Sequence, residues 1–251
     1  MATSWAVFEY QWVTFRRIWR STVSVTLILP LLTVLGFGVG VGSYVPEVGG
    51  VPYLSYVVTG LIASTALQSA VAESSWPVLD AFTWSKIQFA HASTPARPVH
   101  LALGRLAYVV TRVMIPVVAF LLVAYAFGVP TSGWAWTAIP ACALLAWASA
   151  APSMALAATV SSDNELNLVY RLAVVPLTLF SGIFFPVAQL PEVLRWLAYA
   201  SPLWHGVDLC RSAIVDAPPE WPLWRHLVVL GVWGVAGTWL SVRTFTRRLA
   251  Q

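Results

Sequence analysis

The sequence predicts an all-α integral membrane protein with six transmembrane helices. Five long stretches without a charged residue make up most of the 251 residues. Hydrophobic residues account for 59% of the chain and charged residues for only 10%, whereas soluble domains carry about 25% charged residues. No water-facing surface can be built from this composition. The lipid bilayer is therefore the solvent that the fold must satisfy.

Each stretch approaches or exceeds the roughly 20 apolar residues that one helical membrane crossing takes. The five stretches are 21–45, 48–72, 113–162, 172–191 and 227–242. The third could cross twice, and it divides at 129–133, where Val-Pro-Thr-Ser-Gly ends one helix and allows a tight reversal. Six crossings result. The sixth needs the lead-in 221–224, with Arg225 and Arg243 reaching outward; without it the count is five.

The segment before the first crossing carries aromatic residues at spacings of three and four, which places them on one helical face. They are Trp5, Phe8, Trp12, Phe15 and Trp19, and the basic residues Arg16, Arg17 and Arg20 lie beside them. We predict an interfacial helix over 4–20 that anchors in the inner leaflet, with rings in the acyl boundary and guanidinium groups at anionic lipids. The alternative is an aromatic face packed on protein.

The distribution of Lys and Arg orients the protein, because cytoplasmic loops are enriched in these residues. With the N-terminus inside, only Arg195, Arg211 and Arg225 fall outside, and the other eleven fall on the cytoplasmic side. Both termini are then cytoplasmic. The net charge of +4 is interpreted as a topology signal and not as a nucleic-acid footprint. We expect one multi-pass membrane domain over residues 1–251.

The segment 74–105 is the only substantial cytoplasmic loop, and it mixes aromatic and basic residues. We predict a short helix over about 78–91, followed by a turn that Pro95 and Pro98 impose. The segment could be a knob for a soluble partner or a second interfacial helix. After the fourth crossing, Ser162 and Glu165 have the spacing of a capping box, which predicts that the fifth helix begins there.

The longest outer segment, 186–224, is amphiphilic, and it predicts two short helices interrupted at Ser201 and Pro202. Backbone this apolar either dips back into the membrane as a re-entrant hairpin or caps the bundle. Ser201, His205 and Asp208 suggest a nucleophile system or two metal ligands, but two ligands are too few for zinc, and a catalytic set requires mutual geometry. We therefore predict polar anchoring of the hairpin, with no catalytic residue, metal or cofactor.

Two further patterns bear on chemistry. Cys142 and Cys210 are far apart in sequence and predict buried thiols. A phosphate-binding P-loop needs two glycines before its lysine, but Asp80 and Ser85 stand at those positions relative to Lys86, the only lysine. The uncharged stretches also contain no Asp, Glu, Lys, Arg or His that would indicate proton or ion coupling. A driving force is therefore expected from a partner.

The stretch 180–191, Phe-Ser-Gly-Ile-Phe-Phe-Pro-Val-Ala-Gln-Leu-Pro, closely resembles the C-terminal signature of ABC type-2 transporter permeases, and the likeness continues through 197–211. The front half is similar to permeases of the nodulation lipo-oligosaccharide exporter and drug-resistance group, at 36–42, 48–53 and Thr83-Trp84. The similarity runs from about Phe15 to the C-terminus.

This resemblance implies a permease in the inner membrane of a prokaryote. It would form a homodimer or heterodimer with a second permease and bind separately encoded ATPase subunits. The residues expected to couple to the ATPase are Trp84, Lys86, Ile87 and Phe89. Those expected to line or gate the pathway are Phe180, Ser181, Gly182, Phe184, Phe185 and Pro186. The implied cargo is an amphiphile moved outward: a lipo-oligosaccharide, lipid-linked glycan, glycolipid or hydrophobic drug. The alternatives are an intramembrane lipid-modifying enzyme that uses Ser201, His205 and Asp208, and a non-transporting anchor subunit.

Overall fold

The computed structural model describes the backbone of residues 2–42, 44–92 and 97–250, and the side chains of these residues except 2–3, 18–27, 29, 38–39 and 91–92. The described chain is helical almost throughout, which confirms the predicted all-α membrane class. The helices are α1 Ala2–Leu35, α2 Tyr53–Thr83, α3 Ile87–Ala92, α4 Pro98–Ala126, α5 Ala138–Ala157, α6 Asp163–Val169, α7 Val175–Phe180, α8 Glu192–Ala200, α9 Pro202–Val215 and α10 Leu223–Leu249.

Four described helical segments are long and apolar enough to cross a membrane: Tyr53–Thr83, Pro98–Ala126, Ala135–Ala157 and Leu223–Leu249. The last has 27 residues and is about 40 Å long at 1.5 Å per residue, so the sixth predicted crossing is a full-length helix. α1 and the continuous helical backbone over 163–180 lie at the first and fifth predicted positions. For these two, the crossing itself stays a prediction.

Two segments of wider π-helix interrupt this regular pattern. Gly36–Val41 continues α1, and Tyr170–Val174 joins α6 to α7. The second ends two residues before Pro176, a residue that lacks an N–H and whose ring crowds the carbonyl one turn earlier. Widening the helix at this point relieves that conflict. The fifth helix therefore consists of short pieces in a continuous path.

A small antiparallel hairpin follows α1. Its strands β1 Glu47–Val48 and β2 Val51–Pro52 pair Glu47 with Pro52 and Val48 with Val51. The turn between them is formed by Gly49 and Gly50, with φ of 62° and 78°. Glycine reaches these angles without strain, and two such residues form the turn that matches strand twist.

The bundle is organised around α2, which packs on α4, α5 and α9. α5 and α10 approach each other closely, because Gly234 faces the Trp147 ring and Gly237 faces Pro152. The Ser241 hydroxyl also donates to the Ala151 carbonyl at 2.6 Å. Small residues permit such close approach between helices, which gains van der Waals contact where lipid supplies no hydrophobic drive.

Hydrogen bonds across the structure gather the loops at two ends of the bundle. At one end, the Thr131 and Ser132 N–H groups donate to the Ile214 carbonyl, which ties the loop after α4 to the end of α9. At the other end, the Arg248 guanidinium donates to the carbonyls of Ala158 and Val160 after α5, at 2.9 and 2.8 Å. The first is called the outer end below and the second the inner end, following the predicted orientation.

Several predicted boundaries can be compared with these elements. The interruptions at 129–133 and at Ser201 and Pro202 are confirmed, and α6 begins after Ser162 as expected. The Ser162 side chain makes no cap bond there; the Ser161 N–H donates to the Glu165 carboxylate at 3.3 Å instead. The single helix predicted over about 78–91 is wrong. α2 continues to Thr83, and the chain turns before α3 begins.

Candidate functional site

The predicted gate segment 180–186 forms a buried turn at the outer end of the bundle. Gly182 has a φ of 79°, and its carbonyl accepts a 2.8 Å hydrogen bond from the Arg211 guanidinium. On the other side, a Cβ placed on Gly60 of α2 would lie 2.9 Å from the Ile183 Cα. The turn is therefore held between α2 and α9, with no room for a side chain at residue 60.

The aromatic residues of this turn face two clusters. Phe184 packs on Phe37 at the end of α1, with ring centroids 5.4 Å apart. Phe180 and Phe185 pack with the outer hairpin around Val187 and Trp204, and Pro186 is half-buried. Ser181 is fully buried, and its hydroxyl lies 3.3 Å from that of Ser201. The predicted gate residues thus contact both the first helix and the hairpin.

Ser201 and Pro202 begin α9, the second helix of the outer hairpin. The Ser201 hydroxyl accepts a 3.3 Å hydrogen bond from the Trp204 N–H, as an N-cap residue does. Pro202 occupies the first turn, where its missing N–H costs nothing. Neither partner of the Ser201 hydroxyl is a histidine, so the contact between nucleophile and base that an enzyme would need is not formed.

A buried chain of hydrogen bonds runs through the hairpin into α10. His205 lies 3.0 Å through Nε2 from the Tyr199 carbonyl, and 2.9 Å through Nδ1 from the Nδ1 of His226. The Nε2 of His226 lies 3.1 Å from the Trp221 carbonyl and 3.2 Å from the Asp208 carboxylate. Both histidines are fully buried. The Asp208 carboxylate also accepts the Glu220 N–H at 2.9 Å.

This geometry fixes the number of protons on the two imidazoles. A carbonyl only accepts hydrogen bonds, so Nε2 of both His205 and His226 carries a proton. The contact between the two Nδ1 atoms requires a third proton, since two lone pairs repel at 2.9 Å. Three protons on two rings give the pair one positive charge. Asp208 supplies the opposite charge, so the cluster is a buried ion pair within a hydrogen-bond network.

Of the two imidazoles, His205 is the one that resists protonation. Burial and, to a smaller extent, the neighbouring His226 lower the pKa of His205 to about 4, against the opposing effects of the Tyr199 carbonyl and Asp208. Neutral His205 then accepts from His226 and donates to the Tyr199 carbonyl. The sequence placed His205 and Asp208 near each other but missed His226, whose only signal was a histidine next to the predicted sixth crossing.

The predicted coupling segment lies at the inner end. Trp84 is 59% exposed, and Lys86 follows in the left-handed region with a φ of 51°. Ile87 is half-buried at the start of α3. The Phe89 ring makes an edge contact with Phe82 at 6.1 Å between centroids. An exposed tryptophan therefore stands on a turn that is braced from one side by the bundle.

The bracing continues into the last helix. The Phe82 ring packs edge-on against Phe245 of α10, with centroids 5.0 Å apart, and the Arg248 guanidinium carbon lies 4.9 Å from the same ring centroid. The same Arg248 bonds the carbonyls after α5. Direct contacts therefore connect this turn with α2 and α10, and Arg248 extends them to the end of α5.

A second charged cluster, which the sequence assigned to topology alone, joins α1, α2 and α4. Arg112 pairs with the Glu73 carboxylate at 2.6 Å. Arg105 donates to the Glu73 carbonyl at 2.7 Å and to the Gln11 side chain at 2.8 Å. In the sequence, the cluster is indicated only by the positions of two of its residues: Glu73 directly follows one uncharged stretch, and Arg112 directly precedes another.

The aromatic residues predicted to anchor α1 are divided by the structure. Phe15 is buried beneath Arg112, and Trp12 packs against the core, whereas Arg16 and Arg17 are exposed. The side chains of Trp19 and Arg20 lie outside the described residues. The backbone is one helix through residue 20. The buried part of this face therefore packs on protein, and lipid anchoring by the exposed cations stays a prediction.

The two cysteines are buried, as predicted, but the structure also brings them together. Cys142 of α5 and Cys210 of α9 have sulfurs 3.4 Å apart, and both are free thiols. Their 68-residue separation in sequence gave no sign of this contact.

Comparison with known proteins assigns these features to a family. The family model described as ABC-2 type transporter matches residues 3–215. The chain belongs to the ABC-2 type transporter family. It is also similar to Nodulation protein J of Sinorhizobium fredii strain NGR234, at 27% identity over 97% of this chain and 93% of that protein. Nodulation protein J of Rhizobium leguminosarum bv. trifolii is 28% identical over 98% and 94% of the two chains, and that of Azorhizobium caulinodans is 29% identical over 86% and 85%.

Membership of the ABC-2 family makes this chain a multi-pass membrane subunit of a transporter. The matched residues include the turn at 180–186, α8, α9 and the segment 84–89. The end of the match at residue 215 coincides with the end of α9, so α10 lies beyond it.

Proposed function

We propose that this protein is the permease subunit of an ATP-driven exporter that moves an amphiphilic substrate outward across the cytoplasmic membrane. It pairs with a second permease, and separately encoded ATPase subunits bind its inner end. Membership of the ABC-2 transporter family carries this proposal. The likeness to Nodulation protein J over nearly the whole chain is consistent with the nodulation exporter group that the sequence resembles, and we take the cargo implied by that resemblance, a lipo-oligosaccharide or related glycolipid.

The coupling segment supports the proposed partner. ATP hydrolysis must be transmitted through a surface that the bundle braces, and Trp84 is an exposed tryptophan on such a surface. Tryptophan is enriched among the residues that dominate binding energy at protein interfaces. On the same turn, Phe89 contacts Phe82, which in turn packs on Phe245 of α10. We therefore assign Trp84, Lys86, Ile87 and Phe89 to ATPase docking.

The gate turn supports an outward pathway. Its residues contact α1 through Phe37 and the hairpin through Ser201. A movement of α1 relative to α9 would therefore change the conformation of the turn at 180–186. Phe180, Phe184 and Phe185 offer apolar surface suited to acyl chains, while the backbone carbonyl of Gly182 is held by Arg211. We assign this turn to the outer gate.

The test is reconstitution of the permease with its ATPase in proteoliposomes, followed by ATP-dependent transfer of a fluorescent glycolipid. We expect transfer to require the ATPase and to stop when the subunit is omitted. Transfer that proceeds without any ATPase would contradict the proposal. An ATPase that copurifies but gains no activity from the permease would indicate an anchor subunit. Covalent alteration of the glycolipid, lost in His205→Ala, would indicate an enzyme.

A further inference from the structure

A cavity of about 490 Å³ opens between α1, α2, α4 and the helical backbone over 163–180, called the fifth helical run. It has the size of a small-ligand site. Its wall is apolar toward one end and charged toward the other. The residues that matter to the argument are Leu61, Ser69, Glu73, Arg112, Phe120 and Tyr170.

The charged end of this cavity lies where the apolar stretches end. Glu73 directly follows the uncharged stretch 48–72, and Arg112 directly precedes 113–162. Leu61, at the other end, is twelve residues from Glu73 on the same helix, or about 18 Å along its axis. The cavity therefore runs from the level of the inner headgroups into the hydrocarbon, as a phospholipid in the inner leaflet does.

The charges at this level do not cancel. Glu73 is one carboxylate between two guanidinium groups: Arg112 bonds its side chain, and Arg105 bonds its backbone carbonyl and Gln11. The three charged residues together carry one positive charge. An unbalanced charge is costly beside lipid, and basic pockets between helices at the cytoplasmic side bind anionic lipid headgroups.

Arg112 has donors left for such a headgroup. Its Nη1 donates both to Glu73 and to Tyr108, and among the described residues no protein acceptor contacts its Nη2 or Nε. The Arg112 side chain is 19% exposed, and it lines the cavity. Arginine donors in a fork match the oxygens of a phosphate.

Hydroxyl and amide groups of α2 continue this polar end. Gln68 donates to the Ser64 hydroxyl at 2.8 Å and accepts from Tyr170 at 3.3 Å, which links α2 to the fifth helical run. Ser69 lies one turn from Glu73 in the cavity wall. These groups suit the ester and glycerol oxygens of a lipid. Beyond them the wall is formed by apolar side chains such as Leu61 and Phe120.

We propose that this cavity is a site for one anionic glycerophospholipid of the inner leaflet, with its phosphate at Arg112 and an acyl chain along Leu61 and Phe120. The lipid joins α1 to α2 and α4 and is a resident partner of the permease, distinct from the cargo. The site needs no ATPase and no transport, so its test is independent of the proposed function.

The test is lipid retention by the full-length permease, purified with any subunits that accompany it. The protein is placed in nanodiscs of phosphatidylcholine with one-fifth phosphatidylglycerol, released in mild detergent, and weighed by native mass spectrometry. We expect bound phosphatidylglycerol in excess over phosphatidylcholine. Arg112→Gln should reduce that excess roughly tenfold or more, since hydrogen bonds to a charged group are lost. Arg247→Gln, which removes an exposed arginine on α10, should leave it unchanged.

Two further variants keep the result interpretable. Arg112→Gln leaves Glu73 without its partner and could unfold the bundle, so the double variant Glu73→Gln/Arg112→Gln removes both charges together. It should fold and still lose the selectivity. Ser69→Leu fills the cavity without changing its charge and should also reduce retention.

Other outcomes overturn the proposal. Equal retention of both lipids by the wild-type protein would show that no anionic site exists. Displacement of phosphatidylglycerol by 10 mM inorganic phosphate would reduce the site to a simple anion site without a place for an acyl chain. Unchanged selectivity in the folded double variant would place the bound lipid elsewhere on the protein.

Discussion

At the scale of single residues, the outer hairpin contains a buried hydrogen-bonded cluster of His205, His226 and Asp208. His226 bonds His205 through one ring nitrogen and Asp208 through the other, and all three lie in the interior. A buried ion pair gains little over apolar packing, but loss of one partner is costly because the other charge stays unpaired. The cluster therefore specifies how α9 meets α10 more than it adds net stability.

The protonation of His205 predicts a pH dependence. Its pKa falls from 6.5 to about 4 in the folded protein, so between these values the unfolded chain binds a proton that the folded protein does not. The stabilisation is complete above pH 6.5 and is lost progressively as the pH falls to about 4. This lowering of the His205 pKa corresponds to at most about 3 kcal/mol in the free energy of unfolding. We expect the thermal unfolding midpoint in detergent to fall across this range.

His205→Gln is the matched variant for that measurement, because it keeps polar groups in place but cannot titrate. Subtracting its profile removes the contribution of other acidic-range groups, including Glu220, whose pKa is raised by burial and by Asp208. The variant should lose stability at pH 7 and show a shallower decline between pH 6.5 and 4. An identical slope in both proteins would assign the pH dependence to other groups.

The sequence predicted part of this cluster and missed part for a physical reason. Ser201, His205 and Asp208 share one helix start, so their proximity follows from local spacing. His226 and Glu73 reach their partners only through contacts between helices far apart in sequence. No periodicity encodes such a contact. Both residues lie at the edge of an uncharged stretch. A polar residue there can either mark the end of a crossing or bond another helix, and the sequence does not distinguish the two.

At the scale of elements, the packing of α10 on α5 depends on which glycine faces its neighbour. A Cβ on Gly237 would lie 2.5 Å from the Pro152 ring, whereas Gly231 on the same helix has nothing within 4 Å. Gly237→Ala should therefore separate the helices and cost about 1–3 kcal/mol, as overpacking does. Gly231→Ala should be neutral or slightly stabilising, since alanine favours the helix.

The comparison is made by thermal unfolding of the two variants in the same detergent. A lower midpoint for Gly237→Ala and an unchanged or higher one for Gly231→Ala is the expected pair of results. Equal effects of the two substitutions would mean that α10 is not held against α5 at this distance.

The coupling segment gives a second prediction at this scale. Trp84→Ala removes an exposed ring without touching the bundle, so the permease should fold while its affinity for the ATPase falls by at least roughly tenfold, as for a hot-spot tryptophan. Trp134→Ala is the matched control, because that ring is 66% exposed at the outer end. Pull-down of the ATPase measures both. Similar losses in the two variants would argue against docking at Trp84.

Element boundaries were predicted where local chemistry sets them, and missed where it does not. The reversal at 129–133 and the start of α9 depend on proline and serine at fixed positions, and both were predicted. The turn at 84–86 contains neither proline nor glycine, and Lys86 takes its left-handed angle without a sequence signal. The hydrophobic pattern predicts a continuous helix at this position. The turn is instead explained by the contact of Phe89 with Phe82 and of Phe82 with the bundle.

At the scale of the whole molecule, the composition determined the class of fold, but the arrangement of helices required the structure. Alanine and glycine in α5 and α10 indicate close packing without saying which helices meet. The structure shows that the outer loops bond one another and that the inner turns bond one another. This segregation is what a protein with alternating crossings requires, because each loop must lie on one side of the bilayer.

The orientation of the molecule yields the last prediction. Eleven of fourteen Lys and Arg residues fall on the side of Trp84 when the N-terminus is inside, and such loops face the cytoplasm. Both native cysteines are fully buried, so an introduced cysteine reports its own position. In spheroplasts, a membrane-impermeant maleimide should label Pro218→Cys, an exposed outer position. It should label Ser85→Cys, beside Trp84, only after the membrane is opened. Labelling of Ser85→Cys in intact spheroplasts would reverse the orientation, and with it the assignment of an ATPase to that end, because ATP is held in the cytoplasm.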